Sequence, residues 1–288
     1  MMDRSEQGLR ADIVEIGHRL HERGYVASND GNISVRLPGD RVLATPKSVS
    51  KRDMTPDMMV VTDLEGRKLA GERSPSSELL MHLEVYRNRP DIQAVVHAHP
   101  PLATGFAVAG IPLDRAVLAE VVTTLGSIPI ASYGTPSTPE LADAVRQYIK
   151  AHDGLLLANH GALAAGVDLF GAYYKMETIE HFAKISLVAR LLGREHLLSR
   201  EEVGRLQGLR GMYGIASPAP ICAEDQPPAE GGEASCQVIQ APPGGGRRLV
   251  PDRPGIPCGC TPPREDAEIR LTYGELTALI EDAVRALK

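Results

Sequence analysis

Two histidines separated by one residue, His97 and His99, close the apolar run Ala94-Val95-Val96 before Pro100-Pro101 stops it. Side chains alternate along an extended strand, so both imidazoles leave on the same face. A pair so placed can chelate one divalent metal. A third histidine, His160, closes a second apolar run, Gly154-Leu155-Leu156-Leu157-Ala158-Asn159, and Gly161 follows it. One such pair is equally well explained as polar punctuation at a strand end. A matched third histidine at another strand end favours a metal site.

A second chemical feature lies upstream, in Ser74-Pro75-Ser76-Ser77-Glu78 ahead of the apolar face Leu79, Leu80, Leu83 and Tyr86. Small hydroxyls at a helix start place free N–H groups and side-chain donors at one point, which suits an anion. The same residues also serve as an ordinary N-terminal cap with an early glutamate. The residues alone leave the two readings equal.

The surrounding chain supplies the elements that must position these groups. Residues 6–23 read as an amphipathic helix with Leu9, Ile13, Ile16 and Leu20 on one stripe and Gly24 ending it. Asn29-Asp30-Gly31 turns into a strand beginning Asn32-Ile33-Ser34. Arg41 to Thr45 forms a second strand and Met58 to Thr62 a third, with Lys47-Ser48 in the loop between and a Glu65-Gly66 turn after. The His97 strand, a helix or turn over 102–109, a strand over 127–132 and a helix from Thr138-Pro139-Glu140 to about Lys150 follow. The His160 strand then pairs back across Gly161 with 162–165. A long helix over 168–192 buries Tyr174, Ile179, Phe182, Ile185 and Val188. Strands interspersed with helices and joined partly by hairpins give a single α/β domain of the α+β type, its central sheet largely antiparallel and flanked by helices.

Bulk properties limit the partners. A formal charge of −6 over 288 residues argues against a general nucleic-acid binder. No apolar run reaches the ~18 residues of a membrane span. The start Met1-Met2-Asp3-Arg4-Ser5-Glu6 is unlike a secretory signal, so a cytoplasmic protein is expected. The four cysteines, Cys222, Cys236, Cys258 and Cys260, all follow residue 221, so no disulfide framework holds the main body. They are either thiols in a flexible segment or a small metal or redox site.

Five separated pieces, Gly31-Asn32-Ile33-Ser34, Thr45-Pro46, Pro75-Ser76-Ser77-Glu78, His97-Ala98-His99 and Asn159-His160-Gly161, stand in an order that resembles the class II aldolase/adducin family, and within it the L-fuculose-1-phosphate aldolases. The resemblance covers about residues 6–215. It implies one Zn²⁺ per subunit held by Glu78, His97, His99 and His160, with Glu78 doubling as acid/base. It also implies a substrate phosphate on Asn32, Ser76 and Ser77, retro-aldol cleavage of a deoxyketose 1-phosphate to dihydroxyacetone phosphate and lactaldehyde, and a homotetramer. This chain has Lys47-Ser48 where those aldolases have Thr-Gly, which either adds Lys47 as a phosphate-binding point charge or signals a different anionic group. It has Leu118 near a position where they carry a catalytic tyrosine. Met212-Tyr213-Gly214 is similar to their C-terminal catalytic tyrosine, which makes Tyr213 a second catalytic candidate. The family's 4-epimerases carry aspartate in place of the zinc-site glutamate, so Glu78 favours an aldolase. A methylthioribulose-phosphate dehydratase and a non-catalytic adducin-like protein are the other family readings.

Composition then divides the chain into an aldolase-like domain over 1–216, a Pro/Gly-rich linker over 217–263 and a terminal segment over 264–288. In the last, Thr272-Tyr273-Gly274-Glu275 reads as a capping box, and Leu276, Leu279, Ile280, Ala283, Val284 and Leu287 recur at helical spacing. So short a helix needs a partner surface. The arrangement resembles the targeting helices that carry enzymes into bacterial microcompartments, which implies shell proteins as partners. Folding back on the core or packing between subunits is the alternative; a membrane-surface helix would want a more basic polar face.

Overall fold

The structure, a computed structural model, describes residues 5–215 and Ile221. Of the two units into which the chain divides, Met1–Val238 and Ile239–Lys288, only the first contains described residues. The expected linker, apart from Ile221, the terminal helix over 264–288 and all four cysteines lie outside them.

Eight strands form one sheet: β1 (Asn32–Leu37), β2 (Arg41–Ala44), β3 (Val60–Asp63), β4 (Lys68–Ala70), β5 (Ala94–Ala98), β6 (Ile130–Ala131), β7 (Gly154–Leu157) and β8 (Gly161–Gly166). Their order is β4-β3-β2-β1-β5-β8-β7-β6. Every neighbouring pair is antiparallel except β6 and β7. Seven α-helices are described: α1 (Glu6–Glu22), α2 (Leu79–Asn88), α3 (Pro101–Ala109), α4 (Ala119–Thr124), α5 (Pro139–Ile149), α6 (Leu169–Leu191) and α7 (Arg200–Leu209). The expected mixed α/β domain with a mostly antiparallel sheet is the one observed.

Strand alternation sorts the helices into two layers. Ile33, Val35, Ala94, Val96 and Ala98 pack with α1, α3 and α6 on one face. Val42, Ala44, Val95, Leu163 and Ala165 pack with α2 and α5 on the other. His97 has the parity of Val95, so it leaves the sheet on the α2 side. Its register partner on β1 is Asn32 and on β8 Leu163. Both histidine-bearing strand ends therefore meet in the middle of the sheet.

Local chemistry moved several boundaries. The third strand starts at Val60, because Pro56–Met58 closes as a 3-10 turn first. The serine-rich segment is a turn, with Ser76 Oγ accepting from the Glu78 N–H (3.3 Å) and the Ser76 carbonyl from Leu79 N–H (3.2 Å). The helix thus begins at Leu79 and not at Ser74. Glu78 holds the cap position without capping, which leaves its carboxylate for other partners. At α5 the Thr138 hydroxyl donates to the Thr135 carbonyl instead of capping the helix. On α6 the buried stripe is Leu169, Ala172, Tyr173, Met176, Ile179, Phe182, Ala183 and Ser186. Tyr174 and Val188, expected inside, are 52% and 49% exposed, and Ile185 is only half-buried.

Candidate metal centre

Four side chains converge where β5 ends, β8 begins and α2 starts. His97 is fully buried, and its Nδ1 lies 2.8 Å from the Ala162 carbonyl on β8. A neutral ring that donates from Nδ1 turns its Nε2 lone pair inward. His99 Nε2 sits 3.1 Å from His97 Nε2, while its Nδ1 faces Asp30 Oδ2 at 3.5 Å. His160 Nε2 is 3.0 Å from Glu78 Oε1, and His97 Nε2 is 3.5 Å from Glu78 Oε2. The three ring centroids are 4.8 to 5.0 Å apart, and the ligand atoms of the three histidines lie within 4.8 Å of one another.

Two backbone devices make this possible. Asn159, at φ 54°, takes the left-handed turn that joins β7 to β8 and puts His160 beside β5; asparagine tolerates that region better than most side chains. Gly161 sits so close that a Cβ there would lie 2.6 Å from both the Ala98 carbonyl and His99 Cδ2. Gly31, at φ 70°, is equally hemmed in by the His97 carbonyl at 2.8 Å.

The electrostatics suit a cation. Two imidazole nitrogens 3.1 Å apart, each with its other nitrogen turned toward an acceptor, bring two lone pairs face to face unless a positive charge is shared between them. His160 Nδ1 and Asn32 Oδ1 are buried without a partner. Burial alone would raise Glu78, but the His160 hydrogen bond and the neighbouring His97 and His99 bring it down to about 2. Burial holds His97 and His99 below their ordinary range, which keeps them as neutral ligands. Three imidazoles and a carboxylate of this kind fit a divalent metal.

The other sequence-derived residues fall in two groups. Asn32 Nδ2 donates to Glu78 Oε2 at 2.9 Å, so its amide steadies the carboxylate. The Thr45-Pro46-Lys47 segment is bridged antiparallel to Ser74-Pro75-Ser76, through Lys47 N–H to the Ser74 carbonyl (2.9 Å) and Ser76 N–H to the Thr45 carbonyl (3.1 Å). Exposed Lys47 and Ser77 and half-buried Ser76 thus share one rim beside Glu78. Tyr213 stands apart, 67% exposed in the turn after α7, with its N–H bonded to the Leu209 and Arg210 carbonyls. Sequence reasoning passed over Asp30, behind His99, and Lys51, which is 1% exposed. The only signal for Asp30 was its place beside Gly31-Asn32; a lysine in a loop reads as solvated.

A cleft of about 1080 Å³ opens at the opposite end of β1, lined among others by Glu6, Arg36, Arg41 and Asp168. Its arginines are already committed to carbonyls and Glu6.

A family model described as "Class II Aldolase and Adducin N-terminal domain" matches residues 11–187. The chain is 34% identical over 201 residues to a 5-deoxy-D-ribulose 1-phosphate aldolase of Bacillus thuringiensis serovar kurstaki, covering 69% of this chain and 94% of that one. It is 32% identical over 187 residues to a 3-oxo-tetronate 4-phosphate decarboxylase of Escherichia coli O6:H1, covering 64% and 88%. A solved L-fuculose 1-phosphate aldolase superposes with a TM-score of 0.66 at 32% identity, covering 69% and 94%.

Proposed function

Because the chain belongs to the class II aldolase and adducin family, whose aldolases are metal-dependent lyases, we propose that it cleaves a deoxyketose 1-phosphate, L-fuculose 1-phosphate first among candidates, to dihydroxyacetone phosphate and lactaldehyde. The observation that carries this reading is the meeting of three histidines with Glu78 beside a rim of Lys47, Ser76 and Ser77. We take the metal to be Zn²⁺, one per subunit, held by His97, His99, His160 and Glu78. When bound it supplies a Lewis acid that draws electrons toward the substrate's carbonyl oxygen.

The chain's own residues do the rest. Glu78, ionised and held by Asn32 and His160, accepts the hydroxyl proton whose loss starts C–C cleavage. The electron pair of the broken bond passes to the carbonyl as an enediolate, and the aldehyde departs. The proton then returns to carbon, which leaves dihydroxyacetone phosphate. Asn32, Lys47, Ser76 and Ser77 hold the phosphate away from the reacting atoms. Tyr213, exposed here, serves the aldehyde half from a subunit interface. Apolar Leu191 and Leu192, 78% and 77% exposed at the end of α6, support assembly into a homo-oligomer, a tetramer in this reading.

The decarboxylase relative supports a second reading, loss of CO₂ from a 3-oxo acid phosphate, which leaves the same kind of enediolate. A coupled assay decides between them. Zinc-loaded protein given fuculose 1-phosphate should release dihydroxyacetone phosphate, and Glu78→Gln should nearly abolish this. Zinc binding with CO₂ release from a 3-oxo-tetronate phosphate, and no ketose cleavage, would transfer the assignment to the decarboxylase. Failure to bind zinc would remove the catalytic reading. For residues 264–288, the helical spacing and capping box read from the sequence support cargo targeting to a microcompartment shell.

A further inference from the structure

Lys51 is the most deeply buried lysine among the described residues, at 1% exposure. Its Nζ donates to two main-chain carbonyls, Asn29 (3.3 Å) and Val49 (3.2 Å). Asn29 opens the turn that carries Asp30, Gly31 and Asn32. From that turn Asp30 reaches His99 Nδ1 and Asn32 reaches Glu78. One ammonium thus ties down the segment that touches two of the four proposed ligands from behind.

We propose that Lys51 and Asp30 are positioning residues for the metal centre: Lys51 clamps the Asn29–Asn32 turn, and Asp30 on that turn orients His99 so that its Nε2 faces the ion. This rests on the reading of the histidine cluster as a divalent-metal site. A carboxylate behind a ligating imidazole fixes its tautomer and raises its basicity. The same turn aims Asn32 at Glu78, so a single anchor sets two ligands at once. Lys51 holds this turn at the expense of burying its charge. Burial pulls its ammonium down to about 8, with the charges of Asp30 and Glu78 offsetting only part of the penalty. Methionine at 51 removes the desolvation penalty and the two carbonyl bonds together, so the two effects offset in the fold.

The test measures zinc affinity by competition with a chromophoric chelator on the full chain, beside the thermal midpoint of the zinc-stripped protein. Asp30→Ala and Lys51→Met should each weaken zinc by about ten- to hundred-fold. The double variant should bind no more weakly than the poorer single one, since both act through one turn. The stripped Lys51→Met protein should melt no lower than wild type. Unchanged zinc affinity in both variants overturns the proposal, as does a loss in Lys51→Met that follows a fall in stripped stability. Should Lys51→Met fail to fold, Lys51 is a structural brace and its part is overturned, while Asp30→Ala, on a half-exposed side chain, still decides the other. Wild-type protein that binds no zinc removes the metal reading itself, which separates the two failures.

Discussion

At the residue scale, Lys51 and Glu78 sit in one electrostatic environment with opposite outcomes. Glu78 gains from its histidine neighbours and the His160 hydrogen bond more than burial takes away, whereas for Lys51 burial wins. The lysine's effect on stability has a definite sign. In the unfolded chain it titrates near its ordinary value of about 10.4; in the fold it releases its proton at about 8. Between those values the unfolded state holds the extra proton, so stability rises with pH, and below the lower one the whole penalty stands. Urea midpoints taken from neutral pH to about pH 10 should therefore climb in wild type relative to Lys51→Met. A constant difference between the two would show that folding does not lower the lysine's pKa. Glu78→Gln should keep zinc on three imidazoles while the cleavage rate falls by about 10²–10⁴-fold. The histidines were legible in the sequence because alternation alone puts His97 and His99 on one face. Asp30 and Lys51 were not, because their importance lies in contacts across turns that no periodicity records.

At the element scale, the β7–β8 hairpin sets His160 beside His97 and His99. Its tight approach to β5 makes Gly161→Ala informative: the added methyl meets His99 Cδ2 and the Ala98 carbonyl at 2.6 Å. Roughly 1–3 kcal/mol of stability should be lost as the strands part, and zinc content should drop with it. A variant with normal melting and full zinc would mean the hairpin relaxes without moving His99. Helices and strands that bury a regular stripe were readable, as in α1 with Ile13, Ile16 and Leu20. Those without one were not. β4 is a wholly exposed edge strand, so nothing alternates in it. In α4 the Val-Val-Thr-Thr run looks extended, yet Thr123 and Thr124 return their hydroxyls to the Ala119 and Glu120 carbonyls four residues back. α7 carries a capping box, Ser199 with Glu202, but buries only Val203. On α6 a shift of one residue exchanged Tyr173 for Tyr174, because apolar residues ring that helix on several sides.

At the scale of the whole molecule, the elements that bring the three histidines and Glu78 together all belong to the domain that matches the family, and the sequence beyond it is unlike that domain in composition. Removing residues 264–288 should leave sugar-phosphate cleavage unchanged while abolishing co-localisation with shell proteins. Loss of activity or of soluble assembly on deletion would instead make the segment part of the enzyme. No helix among the described residues is long and apolar enough to cross a membrane.

The strand order also bears on how the chain reaches its native state. His97 and its hydrogen-bond partner Ala162 are 65 residues apart, and Glu78 arrives on a different element again. Contacts so distant in sequence carry a large loop-closure cost, so the site closes only as β5 and β8 pair. In the early chain an ion therefore has only the His97–His99 pair to grip, and the full set of four groups closes later. The ion's stabilisation falls on the native side of the barrier. Zinc should accordingly slow unfolding in denaturant and leave the refolding rate where it was, so that the loaded protein is protected by the time it takes to open and not by the speed with which it closes.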